Sequence, residues 1–98
     1  MPSQFKQKIK IDHKVEKFVD GTWERLWIED KGWCGLSLLI EGFGRVSYAV
    51  LNGGGKGLLA VPTENFNVIM EQIETFKQMA FDGMGILDAE KQEVYWFK

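Results

Sequence analysis

The apolar residues of this chain change their period once, at Pro62, and that change limits the folds open to it. Before Pro62 they recur mainly at every second position, the repeat of a half-buried strand. After it Phe66, Ile69, Met70, Ile73, Phe76 and Ala80 recur at every third or fourth, the repeat of an amphipathic helix. Pro62-Thr63-Glu64 reads as the start of that helix, with a capping hydroxyl after the proline and an acid in the first turn, and Asp82-Gly83 and Gly85 read as its end. The spacing predicts one helix over 64–81.

The strand side divides at its turn residues. FKQKIKI (5–11) alternates, with Phe5, Ile9 and Ile11 on one face and Lys6, Lys8 and Lys10 on the other. Val15, Phe18 and Val19 form a short extended piece that stops at Asp20-Gly21, a strong turn dipeptide. TWERLWIE (22–29), WCGLSLLIE (33–41) and RVSYAVL (45–51) read as further strands, separated by Asp30-Lys31-Gly32 and Glu41-Gly42-Phe43-Gly44. GLLAV before Pro62 is another. After the helix come extended pieces around 86–87 and 94–97, joined by Asp88-Ala89-Glu90-Lys91-Gln92. The expected fold is α+β: a curved antiparallel sheet, one amphipathic helix on its face, and a short C-terminal extended segment. With 98 residues it forms a single domain over 1–98. The end, Tyr95-Trp96-Phe97-Lys98, is strongly apolar. It either docks in the fold or marks a chain cut from a longer one.

Charge and cysteine content exclude several functions. The formal charge of −2 argues against a nonspecific duplex-DNA binder, which carries a large basic excess. Cys34 is the single cysteine, so neither an internal disulfide nor a cysteine-based zinc cluster can form within one chain, and His13 is the single histidine. Cys34 is expected to pack as a small apolar residue and His13 to lie at a turn. The acids Glu29-Asp30 and Glu71/Glu74 lack a partner histidine or a second acid cluster, so no catalytic constellation stands out and an enzyme is not expected. No cofactor is implied. No apolar run reaches the ~20 residues of a membrane span, and MPSQFKQK lacks the apolar core of a signal peptide, so an intracellular protein with no membrane partner is expected.

Two stretches suggest binding. Trp23, Arg25 and Trp27 alternate and so share one strand face. Aromatic–guanidinium–aromatic is a surface that stacks bases and meets phosphates of single-stranded nucleic acid, and it is equally a composition found in cores and dimer interfaces. The Lys6, Lys8 and Lys10 face either adds cations or simply discourages edge pairing. The second stretch, NGGGKG (52–57), is glycine-rich with one lysine. A phosphate-binding nucleotide loop needs Gly-Lys-Ser/Thr opening a helix. Here Gly57 follows Lys56 and a strand follows that, so the stretch reads as a connection between strands.

The strands at 22–29, 33–41 and 45–51, followed by Gly55-Lys56-Gly57-Leu58-Leu59-Ala60-Val61-Pro62 and the helix from Asn65-Phe66 to Phe76, resemble the Pur-alpha repeat and the related layouts of Whirly proteins and positive-cofactor-four coactivators. This sequence departs from them in its single unit, its acidic balance and its added C-terminal segment. The resemblance implies a curved sheet followed by a helix, association as a homodimer, and binding of single-stranded DNA or RNA as a nucleic-acid regulatory factor. It places Lys56 at a sheet edge beside a backbone phosphate. The residues expected to bind are Trp23, Trp27 and Tyr48 as stacking rings, with Arg25, Arg45, Lys56, Lys8 and Lys10 as cations. The alternative is a protein–protein interaction module of the same fold that uses the same aromatics.

Overall fold

The computed structural model describes residues 11–98. Its elements run β1 (His13–Val19), β2 (Thr22–Asp30), α1 (Leu36–Gly53), β3 (Lys56–Val61), α2 (Thr63–Glu71), α3 (Ile73–Lys77), β4 (Met84–Asp88) and β5 (Glu93–Trp96). The five strands lie in the order β1-β2-β3-β4-β5. The outer pairs, β1–β2 and β4–β5, are antiparallel, whereas β2–β3 and β3–β4 are parallel. The fold is therefore α+β, but the sheet is mixed rather than antiparallel and carries three helices rather than one. The expected strand over 5–11 lies outside the described residues up to position 10, with Lys8 and Lys10; Ile11 is described and is not in a strand.

Local chemistry accounts for each hairpin. Asp20 and Gly21 take φ of 51° and 81°, the two left-handed positions of a type I′ turn, whose twist matches that of the flanking strands. Val15 then faces Leu26 across the ladder and Phe18 faces Trp23. At the other hairpin Asp88 organises the bend. Its Oδ1 accepts from the amides of Glu90 and Lys91 at 3.1 Å each, and both carboxylate oxygens accept from the Thr63 hydroxyl at 2.8 and 2.9 Å. Burial pushes the Asp88 carboxyl up, but these donors, led by the Lys91 amide, outweigh it and hold the group below its usual range. Thr63, expected to cap α2, thus ties that helix start to β4.

The largest correction lies between the second and third strands. Residues 33–41 and 45–51, expected as two strands, are one helix from Leu36. Leu39, Phe43 and Val46 are fully buried, and with Val50 they form a stripe spaced four, three and four. Gly42, expected in a turn, sits inside α1, where a Cβ would come within 3.0 Å of Lys31 Cε and 3.1 Å of Leu59 Cδ1. Gly57 serves the same approach from β3, since a Cβ there would meet Val46 Cγ1 at 2.5 Å and Val50 Cγ2 at 2.8 Å. These glycines let the helix lie close to the sheet. NGGGKG accordingly joins a helix to a strand, with Gly54 and Gly55 at φ of 70° and 88°.

The expected helix over 64–81 is also divided. Gln72 leaves the helical region at ψ 28°, its N–H shared between the Val68 and Ile69 carbonyls, and α3 resumes at Ile73 and ends at Lys77. α1 and α2 connect successive parallel strands that advance in one direction across the sheet. Right-handed crossovers then put both on the same face. There they enclose one core of Leu39, Phe43 and Val46 from α1, Ile69 and Phe76 from α2 and α3, and Leu59, Val61, Met84, Ile86 and Phe97 from the sheet side. Phe97 is buried beside Phe43, with ring centroids 5.3 Å apart, so this part of the apolar terminus docks in the fold. Cys34 packs at the core's margin as expected.

Candidate binding groove

The alternation that buries Leu59, Val61, Met84 and Ile86 sends Val15, Leu26, Leu58 and Trp96 to the opposite face of the sheet. Among the described residues no helix packs there. Val15 keeps 50% of its surface exposed and Trp96 40%. A groove of about 640 Å³ runs along this face, where Val15, Leu26 and Leu58 line it with Lys17, Glu24, Lys56 and Trp96, and it reaches round to Trp23 and Arg25 of the helix side. The bend Gly53–Gly55 forms part of its rim. Lys56 Nζ stands 5.5 Å from the centroid of the Trp96 ring. Lys17 and Lys56 form no ion pair with a carboxylate among the described residues.

Trp23, Arg25 and Trp27 do share one face of β2, but it is the helix side, and their roles diverge along it. Trp27 donates its Nε1–H to Gly54 O at 2.9 Å, and its ring lies so close to Gly53 that a Cβ there would meet Cζ2 at 2.4 Å. Arg25 donates Nη1–H to Gly53 O at 2.7 Å and Nε–H to Glu16 Oε2 at 2.8 Å. α1 has no basic residue in its last turn, so β2 supplies the cation that its carbonyl end favours. The arginine holds the Glu16 carboxyl below its usual range, helped by Lys14 and opposed by partial burial. Arg25 and Trp27 thus seal the end of a helix. Trp23, beyond that helix, remains largely exposed, edge-on to Phe18 at 5.2 Å, and lines the groove with Arg25 and Lys56.

Arg45 and Tyr48, expected on a strand, lie on α1 and away from the groove. Arg45 donates to Glu29 Oε2 at 3.3 Å and to Glu41 Oε1 at 3.1 Å. Glu29 is buried at the sheet–helix interface, and its Oε1 has no hydrogen-bond partner among the described residues. Burial, and then the neighbouring Asp12, push its carboxyl up against the pull of Arg45. Lys56 opens the central strand rather than lying on an edge strand. His13, expected at a turn, begins β1 and its Nε2 lies 2.6 Å from Asp30 Oδ2.

Trp96 and Lys17 were missed as site residues. The signal for Trp96 was the alternation of Tyr95-Trp96-Phe97, which sends the middle ring away from its buried neighbour Phe97. Among the described residues no group of three or more His, Cys, Asp or Glu is placed to hold a metal. None of the described helices is long and apolar enough to cross a membrane. Comparison of the chain with protein-family models, with curated proteins and with solved structures finds no match.

Proposed function

We propose that the chain is a binding module for single-stranded nucleic acid, and that the strand lies in the groove on the face opposite the helices. One observation carries the reading: an open aromatic ring, Trp96, with the ammonium of Lys56, which forms no ion pair among the described residues, beside it and Lys17 across the groove. A base stacks on such a ring while its phosphate meets the lysine. Stacking contributes ~1–3 kcal/mol per base, which offsets a mildly acidic overall charge. Lys56 and Trp23 were expected from the sequence; Trp96 and Lys17 take the place of Trp27, Arg25 and Arg45, which are engaged within the fold.

Fluorescence anisotropy with pyrimidine and mixed DNA and RNA oligonucleotides across a salt series tests this. Trp96→Ala weakens binding at every salt concentration. Lys56→Ala weakens it mainly at low salt and makes the salt slope shallower, because a phosphate contact releases counterions. Absence of binding to all oligonucleotides at ~100 μM, the weak limit of nonspecific association, overturns the reading. The apolar floor of Val15, Leu26 and Leu58 favours a second occupant, an extended protein segment. Its binding would change little with salt.

A further inference from the structure

Trp96 lines two concavities. One is the 640 Å³ groove; the other, about 470 Å³, lies past β5 and is lined by Phe81, Lys77, Lys98 and the β5 residues from Tyr95 onward. No Asp or Glu side chain lines the second, and Phe81 at its wall keeps 44% of its surface exposed although it is a large apolar ring. Each concavity therefore pairs lysines with an exposed aromatic, and Trp96 is common to both.

We infer that the two concavities form one track, so that a single strand stacked on Trp96 continues over the β5 edge onto Phe81, with its phosphates beside Lys77 and Lys98. This rests on the nucleic-acid reading of the groove and adds its length and direction. From β1 to β5 the sheet spans four strand spacings of about 4.8 Å, or about 19 Å. At a stacked rise of about 3.4 Å per nucleotide, about six nucleotides cover that span. A trinucleotide is accommodated within the groove alone; a dodecamer reaches past β5. Lys77 also meets Glu74 at 3.3 Å, an exposed pair three residues apart that a phosphate can replace at little cost.

The test is a length series of oligopyrimidines of three, six, nine and twelve nucleotides, titrated against the full chain, Phe81→Ala, the double variant Phe81→Ala/Lys77→Gln, and Trp96→Ala. Circular dichroism melting confirms that each variant is folded. Wild-type affinity rises steeply up to nine nucleotides. Phe81→Ala binds the dodecamer at least about fivefold more weakly, the loss of one stacked base, and binds the trinucleotide unchanged. If Phe81→Ala and the double variant match wild type at every length while Trp96→Ala loses binding, the track is overturned and the groove reading stands. If wild type binds no length, the groove reading falls and takes the track with it.

Discussion

The two faces of this sheet are built from the same strands, residue by residue in alternation, yet they have opposite surroundings. On the helix face Leu59, Met84 and Ile86 are fully buried under Phe43 and Phe76, and even Glu29 is enclosed. On the other, Val15 and Trp96 remain half in solvent, and the groove they line carries Lys17 and Lys56 together with Glu24. One set of alternate residues thus builds the core, while the other is buried at Leu58 and Ala60 and open at Val15 and Trp96. A two-layer arrangement achieves this where a three-layer one would cover both faces.

Substitutions on the two faces should therefore separate. Phe43→Ala leaves a cavity where rings of Phe76 and Phe97 meet it at 5.4 and 5.3 Å, and should cost about 3–5 kcal/mol in urea unfolding. Next come the two tryptophans. Trp27→Ala removes the bond to Gly54 O and the packing on Gly53, and should cost about 2 kcal/mol, below the full value because the ring is only half-buried. Trp96→Ala should cost about 1 kcal/mol or less, while abolishing most oligonucleotide binding. Equal losses for the pair would erase the distinction between the faces.

A smaller effect concerns pH. The Glu29 carboxyl is held above its ordinary range near 4.5, so the folded chain binds more protons than the unfolded one in the window just above that value. Stability from this group falls as pH rises through the window, and Glu29→Gln removes that slope. A thermal-melting series from pH 4 upward, with identical slopes in both proteins, would contradict it. The smallest change is Val15→Thr, on the open face, which should stay within about 0.5 kcal/mol of wild type by urea unfolding.

How far the sequence could be read depended on how local each determinant was. Asp20-Gly21, the alternation of 22–29 and the Pro62-Thr63 start all act over a few residues, and the strands and helix beginning they imply are where they were expected. LSLLI, by contrast, fits both periods. The deciding residues for α1 are Leu39, Phe43, Val46 and Val50, and the glycine at position 42 hides that stripe by mimicking a turn. Its real cause is Leu59 and Lys31 pressing on the helix, a contact that exists only after folding. The same holds for the site. The shared face of Trp23, Arg25 and Trp27 was legible; the carbonyls of Gly53 and Gly54 that claim Arg25 and Trp27 lie more than two dozen residues away and were not.

The pairing scheme also sets an order of events in time. β1–β2 closes over a two-residue bend and β4–β5 over residues 89–92, so both are local hairpins of the kind that form in about 1–10 μs. β3 has no such neighbour. Its parallel partners reach it only after residues 31–55 and 62–83 have been drawn into loops, and that closure costs entropy before any contact offsets it. The most buried strand should thus be the slowest to arrive, and a stopped-flow refolding trace is expected to follow those two crossovers rather than either hairpin.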